Sequence, residues 1–219
     1  MVKLRLEIEF KMHRMWASRG DAVSSVADIP QARSWTKTNF PIIPATSVKG
    51  VLRDALERSL GGCCAGPAPE DYRCSPSEPC IVCRHFGNPK VTARLRFSDA
   101  KPDQTKPPMQ NRYGVAVSRW RRAALKEVLF VRETAEHGRL ICGVEGVYNN
   151  TREALEGAAL LGLACRLVVA IGAAKTRGLG FVEESALKDV KIDGKAVAGD
   201  QINAEIERIW KEERCSNSG

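Results

Sequence analysis

Residues 2–12, VKLRLEIEFKM, alternate apolar and mostly charged side chains without a break. A period of two is typical of a β-strand with one face in a core and the other in solvent. Residues 42–62, IIPATSVKGVLRDALERSLGG, instead repeat apolar residues at helical spacing. Thr46 or Ser47 is the expected N-cap of this helix, and Gly61–Gly62 is its expected end. The chain therefore opens with a strand followed by an amphipathic helix.

The remaining periodic segments complete a strand and helix pattern. Strands are predicted for VTARLRFSDA, EVLFVRE, RLICGVEGVY and CRLVVAIG, and helices for NTREALEGAALLGLA and INAEIERIWKEE. Asn150 is the expected cap of the first of these helices, with Glu153 at the capping-box position. Asp193–Gly194 is a good two-residue hairpin turn. The core order is strand, helix, strand, strand, helix, strand, which predicts an α+β, ferredoxin-like fold.

Three long segments interrupt this core, near residues 13–41, 63–89 and 100–127. The first and third lose all periodicity, and the third is very basic. Loops of this length in a compact domain are usually functional or disordered. We predict one domain over residues 1–183, with residues 184–219 forming a C-terminal hairpin and helix that pack on it.

Composition restricts the class of partner. The 219 residues are 43% hydrophobic and carry a formal net charge of +8. No apolar run is long enough to cross a membrane, and the strand pattern begins at the N-terminus, so we expect a cytoplasmic protein without a membrane partner. The positive charge favours a polyanionic partner, of which nucleic acid is the foremost class.

Five of the eight cysteines crowd into one short stretch rich in proline and glycine. Cys74, Cys80 and Cys83 have the spacing that a tetrahedral metal needs, and the stretch is too poor in apolar residues to hold itself together. We therefore predict structural Zn²⁺ in this insertion, with Cys64, Cys63 or His85 as the fourth ligand. Catalytic zinc is disfavoured because the motifs typical of it do not occur.

Two segments place cations where a phosphate could bind. Lys49 lies in the first turn of the helix, where the dipole already favours an anion, and Arg53 stands one turn further on. Residues 172–181, GAAKTRGLGF, combine three glycines with Lys175 and Arg177. Each feature has a plain alternative, a solvated lysine or a simple turn, but together they predict a phosphate cradle.

Other side chains leave two interpretations open. Trp16, Trp35 and Trp120 lie in or beside the basic segments, where they either stack on bases or pin the loops to the core. His13 ends the first strand and is a general acid–base candidate, although an exposed histidine without a role is common.

Four stretches resemble one family in the same order along the chain. IPATSVKGVLR resembles the IPG-S-S-x-K-G-x-x-R signature of the RAMP superfamily, the RNA-binding subunits of CRISPR effector complexes. CIVCRHFG resembles the C-R-x-F-G segment of its type III members. YGVAVSRWRRAALKEVLFVRE is similar to their G-V-x-I-D-R…A…L-F…E stretch, and AIGAAKTRGLGFV to their closing glycine-rich loop.

The resemblance implies a modified RRM-like fold that assembles along guide RNA as the backbone of a type III complex. Its expected partners are guide RNA, complementary target RNA, other CRISPR effector subunits and further copies of itself. A thumb-like insertion would come from residues 100–127. The residues expected to contact RNA are Ser47, Lys49, Arg53, Arg119, Lys175 and Arg177. Alternatives are a metal-independent guide-processing ribonuclease that uses His13, and a non-catalytic zinc-containing RNA-binding module.

The resemblance also implies an aspartate that cleaves target RNA. In active members this residue lies upstream of the IPG-S-S signature and is closely followed by proline, a pattern that Asp28 and Pro30 fit better than Asp21 does. Its carboxylate would take the proton of a ribose 2′-hydroxyl, or hold Mg²⁺ or another divalent cation. The chain would then be a metal-dependent endoribonuclease within the assembled complex. The alternative is that Asp28 only caps a turn.

Overall fold

The computed structural model of the protein describes residues 1–20, 27–34, 40–60, 74–104, 108–136 and 138–215. Within these ranges the chain forms eight strands and four α-helices. The strands are β1 (Val2–Met12), β2 (Leu95–Phe97), β3 (Lys101–Pro102), β4 (Met109–Ser118), β5 (Ala123–Ala135), β6 (Gly138–Tyr148), β7 (Val182–Ile192) and β8 (Lys195–Ala196). The helices are α1 (Ala45–Leu60), α2 (Ile81–Phe86), α3 (Thr151–Leu167) and α4 (Gly199–Cys215).

The central sheet has the strand order β2-β6-β1-β7-β8, and β3 also pairs with β6. All of these pairings are antiparallel. The four core strands β1, β2, β6 and β7 thus lie in the spatial order second, third, first, fourth. Helix α1 connects β1 to β2, and helix α3 connects β6 to β7. This is the split β-α-β arrangement that the ferredoxin-like motif predicts.

One face of the sheet forms the core. The alternating residues of β1 are at most 3% exposed and pack in one cluster with apolar residues of α1, α3 and α4; they are Leu4, Leu6, Ile8, Phe10 and Met12. Burying a side chain of this size contributes about 1.5–3 kcal/mol. The period-two pattern of residues 2–12 therefore sets which face of the central strand the helices cover.

The opposite face of the sheet carries paired charges. Arg5 lies 3.1 Å from Glu145, and Glu9 lies between Arg139 at 3.6 Å and Lys188 at 3.8 Å. Exposed pairs of this kind contribute about 0–1 kcal/mol each. This face is therefore a solvated surface and does not form a second core.

Residues 109–135 form an antiparallel hairpin of β4 and β5, separate from the central sheet. The prediction of an irregular segment over 100–127 was wrong in this respect. Most of the ribbon is exposed on both faces, so no alternation of buried and solvated residues marks it in the sequence. Its exposed apolar residues include Val115, Val117 and Leu129.

The predicted strand CRLVVAIG is also wrong. Helix α3 continues to Leu167, and Ala170 makes only an isolated bridge to Phe181. The last core strand is instead β7, which pairs with β1 after the glycine-rich loop. A short apolar run does not distinguish a buried helix from a buried strand. Because β7 spans residue 183, the domain boundary expected there falls inside a core strand.

Helix and turn signals were confirmed at two places. The Asn150 side chain accepts the Glu153 N–H at 2.9 Å, which caps α3. Asp193 and Gly194, with φ of +48° and +78°, form the β7–β8 turn. The predicted N-cap of α1 was wrong, because the helix already begins at Ala45. The expected end of α1 at residues 61–62 lies outside the described residues.

Replacing Gly157 by alanine is expected to destabilise the fold by about 1–3 kcal/mol, because a Cβ there would lie 2.3 Å from the Tyr148 hydroxyl in a packed interior. Gly50→Ala is the matched control, since a Cβ at Gly50 meets nothing within 4 Å. In that helix position alanine is expected to stabilise by about 0.5–1 kcal/mol. Urea unfolding of both variants measures the difference, and equal midpoints would contradict the close approach at Gly157.

Candidate functional site

The glycine-rich loop, residues 172–181, is held against the segment that follows β1. The Ala173 N–H donates to the Ala17 carbonyl at 2.7 Å. Gly172 has φ +87°, and a Cβ there would lie 2.3 Å from the same carbonyl oxygen. Gly180 has φ +74°, and a Cβ there would likewise clash with the Ile171 carbonyl oxygen. Both positions require glycine, so the sequence itself fixes the path of the loop.

The start of α1 meets this loop at Ile43. Ile43 exchanges two backbone hydrogen bonds with Ala100, at 3.0 and 2.9 Å, and its Cδ1 atom would lie 3.5 Å from a Cβ at Gly172. Asp99 then accepts the Ala45 N–H at 2.9 Å. A carboxylate from outside the helix therefore already interacts with the positive end of α1, where the helix itself has no acidic residue in its first turn.

The predicted cations of this region differ in exposure. Lys49 is half-buried, and burial lowers its pKa, as does the charge of Arg53. Lys175 and Arg177 are exposed on a short 3-10 turn in the glycine-rich loop. Ser47 is exposed in the first turn of α1. The segment just before α1 therefore packs against the glycine-rich loop at Ile43, and each of the two elements carries predicted cations.

A cleft of about 140 Å³ lies between the hairpin and the glycine-rich loop, and we call it the basic cleft. The Arg177 guanidinium lies 6.0 Å from the centroid of the Phe130 ring. Burial lowers the pKa of Arg132, and the charges of Arg177 and Arg19 lower it further. An anion in the cleft would offset this repulsion. The cleft is lined by Arg112, Tyr113, Gly114, Phe130, Arg132, Ala174, Arg177 and Leu179.

The basic cleft was only partly predictable. Arg177 belongs to a stretch with a clear glycine pattern and Arg132 to the predicted strand EVLFVRE, but Arg112 belongs to a segment that was predicted to be irregular. Arg112 and Arg132 are directly opposite one another in the β4–β5 pairing, a relation that only the strand register reveals. Without the strand register, these arginines could not be assigned to one side of the hairpin.

Asp28 lies on a loop that runs along β5. Its Oδ2 atom accepts the Val131 N–H at 2.7 Å. The adjacent Ile29 donates to the Val131 carbonyl at 3.0 Å and accepts the Glu133 N–H at 3.1 Å. The side chain of Asp28 is exposed, and its hydrogen bond joins it to the hairpin. The carboxylate is therefore held beside the strand that supplies Arg132 to the basic cleft.

A buried glutamine fixes this loop. Gln31 is 0% exposed. Its Oε1 atom accepts the Ser18 N–H at 2.8 Å, and its Nε2 atom donates to Ser18 Oγ at 2.7 Å and to the Ile42 carbonyl at 3.2 Å. Arg33 adds an ion pair to Glu133 at 2.8 Å. Sequence reasoning missed Gln31, because it lies in a segment without periodicity.

The hairpin turn carries Arg119 and Trp120, at the end of the ribbon away from the basic cleft. Both side chains are exposed, Trp120 by 94%. Trp16 is 1% exposed, and its indole donates to the Glu136 carbonyl at 3.1 Å. Of the two interpretations left open, pinning a loop applies to Trp16, whereas Trp120 is accessible for stacking. Trp35 lies outside the described residues.

Cys74, Cys80 and Cys83 form one cluster, with sulfur atoms all within 4.8 Å of one another. The Cys80 sulfur caps α2 by accepting the Cys83 N–H at 3.4 Å, and the Cys74 sulfur accepts the Cys80 N–H at 3.2 Å. Three thiolates on one tetrahedral zinc, each at about 2.3 Å, lie about 3.8 Å apart. The donor set therefore fits Zn²⁺. Cys63 and Cys64 lie outside the described residues.

His85 is engaged elsewhere. It is 0% exposed, with Nδ1 3.0 Å from the Tyr148 hydroxyl and Nε2 2.9 Å from Glu156 Oε1. The hydrogen bond from His85 lowers the pKa of Glu156, so the ionised carboxylate accepts, and the proton is on Nε2. Nδ1 then accepts from Tyr148. Because both ring nitrogens are occupied, His85 does not complete the cysteine cluster.

Arg53 is a residue of α1 whose side chain reaches the cysteine cluster. Its side chain is 15% exposed and lies 2.7 Å from Glu57. The same guanidinium donates to the Gly87 carbonyl and approaches the Cys83 sulfur at 3.5 Å. The structure thus places Arg53 against protein atoms, in contrast to the exposed Lys175 and Arg177.

His13 is exposed at the end of β1. It lines an open cavity of about 350 Å³ together with Asp103 and Arg139. None of the residues that line this cavity lines the basic cleft. The candidate of the ribonuclease alternative is therefore not part of the site that the glycine-rich loop and the hairpin form.

The profile of the RAMP superfamily matches residues 31–183, and the chain belongs to this superfamily of CRISPR-associated RNA-binding proteins. The match covers α1, the cysteine cluster, the hairpin and the glycine-rich loop. A comparison with curated proteins finds no relative of this chain. In the part of the chain that the structure describes, no helix is long and apolar enough to span a membrane.

Proposed function

We propose that this protein is a guide-RNA-binding backbone subunit of a type III CRISPR effector complex, with complementary target RNA, other effector subunits and copies of itself as partners. The observation that carries the proposal is the meeting of three elements: the start of α1, the glycine-rich loop and the hairpin that borders the basic cleft. Arg132 and Arg177 both line this cleft, and the charge of Arg177 lowers the pKa of Arg132, so an anion there would be stabilised. Backbone phosphates are the groups that such cations position.

The residues on the exposed face of the central sheet also favour RNA binding at these elements over RNA binding on the sheet itself. RRM domains stack bases on aromatic residues of the exposed sheet face. In this protein that face carries ion pairs such as Arg5–Glu145. We therefore place RNA at the edge formed by α1 and the glycine-rich loop, with the hairpin as the thumb and Arg119 and Trp120 at its end.

Purification of the native complex tests the proposal. A backbone subunit is expected to co-purify with guide RNA of regular length, in an oligomer that contains several copies of this chain. A guide-processing ribonuclease would instead act as an isolated chain on precursor RNA, and its activity would be lost in His13→Ala. A monomer that binds RNA of any kind without other effector subunits would favour the zinc-containing RNA-binding module.

Replacing Lys49 by alanine is expected to weaken RNA binding about equally for different sequences and to flatten the salt slope by roughly 0.7 for single strands. The reason is the loss of one phosphate contact at the start of α1. Arg58→Ala is the matched control, because Arg58 lies on the same helix and pairs with the exposed Asp54. Titration of single-stranded RNA at several salt concentrations measures both slopes. An unchanged slope in Lys49→Ala would make Lys49 a solvated residue.

We further propose that Cys74, Cys80 and Cys83, with Cys64 or Cys63, hold a structural Zn²⁺. The ion would supply cross-links that the apolar-poor insertion lacks. Arg53 and Asn88, at 3.5 and 3.4 Å from the Cys83 sulfur, would stabilise the bound thiolate.

We propose Asp28 as the residue that cleaves bound target RNA. The ribose 2′-oxygen would attack the adjacent phosphorus while Asp28 takes the 2′-hydroxyl proton, and the bond to the 5′-oxygen would break to leave a 2′,3′-cyclic phosphate and a 5′-hydroxyl that takes its proton from water. A divalent cation such as Mg²⁺, when bound, would stabilise the charge that develops on the phosphate. The proposal is supported by the exposure of Asp28 and by its hydrogen bond to the Val131 N–H of β5, the strand that supplies Arg132 to the basic cleft.

A further inference from the structure

The contacts of Arg53 join the first helix to the cysteine cluster. Its Nε atom lies 2.7 Å from Glu57 Oε1, one turn further along α1. One terminal nitrogen donates to the Gly87 carbonyl, and the other lies 3.5 Å from the Cys83 sulfur. A guanidinium presents its donors in one plane, so three such contacts fix its orientation. The charge of Arg53 is therefore held against α2, between the Gly87 carbonyl at its C-cap and the Cys83 sulfur of the cluster.

The Cys83 sulfur has a second donor, because the Asn88 side-chain amide lies 3.4 Å away. Cys83 itself is 0% exposed. A buried, metal-bound thiolate carries negative charge, and N–H donors, one of them cationic, are the partners that stabilise it. Loss of such a donor typically costs about 10–100-fold in metal affinity. The surroundings of Cys83 are therefore those of a metal ligand with its supporting contacts in place.

Arg53 also lies close to the start of α1, where we propose that RNA binds. Lys49 lies one turn before Arg53, and the charge of Arg53 lowers the pKa of Lys49. Through the Gly87 carbonyl and the Cys83 sulfur, the Arg53 guanidinium joins α1 to α2. Lys49 and Arg53 lie one turn apart on α1, so a change in the contacts of Arg53 acts on the helix that carries Lys49.

We infer that Arg53 is a positioning residue that couples metal binding at the cysteine cluster to RNA binding at the start of α1, and that it does not itself contact RNA. This rests on the proposed RNA-binding function and on the proposed metal site. With the metal bound, Cys83 and Gly87 hold the guanidinium, and Lys49 keeps its place. Without the metal, the anchor of Arg53 is lost and RNA binding weakens.

The first test measures Zn²⁺ affinity by competition with a chromophoric chelator. Arg53→Gln is expected to bind Zn²⁺ about 10–100-fold more weakly than the wild-type protein. Arg58→Gln is the matched control, because Arg58 lies on the same helix in an ion pair of 2.9 Å with Asp54 and is 77% exposed. Its Zn²⁺ affinity is expected to stay unchanged. Asn88→Ala removes the other donor without altering α1, and is expected to weaken Zn²⁺ binding even if Arg53→Gln does not fold.

The second test measures binding of a single-stranded RNA as a function of salt. Arg53→Gln is expected to weaken RNA binding without flattening the salt slope, whereas Lys49→Ala flattens it by about 0.7. Stripping the metal is expected to weaken RNA binding by the wild-type protein and to have little further effect on Arg53→Gln.

The outcomes separate this inference from the function on which it rests. Unchanged Zn²⁺ affinity in Arg53→Gln, with a salt slope flattened by about 0.7, would make Arg53 a phosphate contact and overturn the inference alone. Equal effects of metal removal on the wild-type protein and Arg53→Gln would overturn the coupling. A wild-type protein that binds zinc but no RNA would overturn the proposed function, and the coupling with it.

Discussion

Asparagine in place of Asp28 is expected to slow target-RNA cleavage by about 10²–10⁴-fold in an assembled complex supplied with Mg²⁺. That range is typical of a positioned group that transfers a proton in the transition state. If the carboxylate acts by holding the divalent cation, the rate falls in the same direction, because an amide is a poorer ligand for a hard cation. Binding of complementary RNA is expected to be retained, since no cation is removed.

The geometry at Asp28 makes asparagine the informative substitution. The Asp28 carboxylate accepts the Val131 N–H at 2.7 Å, and an amide oxygen can accept the same hydrogen bond. Asp28→Asn thus removes the charge while the loop keeps its place along β5. Asp28→Ala removes both. A comparison of the two variants separates the chemistry of the carboxylate from its anchoring role.

Single-turnover cleavage of a complementary RNA measures the effect, with a binding assay on the same complexes. Asp103→Asn is the control, because Asp103 is another exposed carboxylate and lines the cavity beside His13. Wild-type cutting by Asp28→Asn, together with slow cutting by Asp28→Ala, would reduce Asp28 to an anchor. If both variants cleave at the wild-type rate, the catalytic group is Asp21, which lies outside the described residues, or belongs to another subunit.

Much of the core fold could be predicted from local patterns. The alternation in residues 2–12 predicted β1, and the capping box at Asn150 predicted the start of α3. Asp193–Gly194 predicted the β7–β8 turn. In each case a side chain or a backbone angle acts on its own neighbours along the chain, so the information is local.

The elements that were wrongly predicted depend on contacts between residues that are distant in sequence. The strand EVLFVRE was predicted within β5, but β4 and the start of β5 have little buried surface, so no alternation marks them in the sequence. The end of α3 at Leu167 depends on which partners bury the apolar run that follows it. The start of α1 was misplaced because its amide partner is Asp99, which lies beyond the cysteine-rich insertion.

The residues of the candidate site also fall into two groups, those that local patterns mark and those that only distant contacts place. Lys175 and Arg177 could be predicted, because glycines with positive φ mark their loop in the sequence. Arg132 enters the basic cleft only through the pairing of β4 with β5. The roles of Gln31 and Arg53 follow from buried contacts to residues far along the chain. A basic residue in a motif does not by itself show whether its side chain contacts RNA or protein.

Serine in place of Cys83 is expected to abolish stoichiometric zinc binding. Cys83 is 0% exposed, and its sulfur is the member of the cluster that Arg53 and Asn88 approach. Structural zinc sites contribute about 10–16 kcal/mol of apparent binding free energy at neutral pH, and in such sites this energy stabilises the fold. The residues around the cluster are therefore expected to lose their structure, while the central sheet, whose core lies against α1 and α3, stays folded.

Elemental analysis of protein purified without chelator measures the zinc, limited proteolysis reports on the cysteine-rich segment, and far-UV circular dichroism reports on the sheet. Cys142→Ala is the matched control. Cys142 is also buried, but burial raises the pKa of its thiol to about 12, so it remains a protonated core residue and its loss should leave the zinc content unchanged. Wild-type protein without zinc would remove the metal site altogether. Zinc retained by Cys83→Ser at wild-type affinity would mean that the three sulfurs within 4.8 Å of one another are packed thiols, because a tetrahedral site does not keep its affinity after losing one of its thiolates.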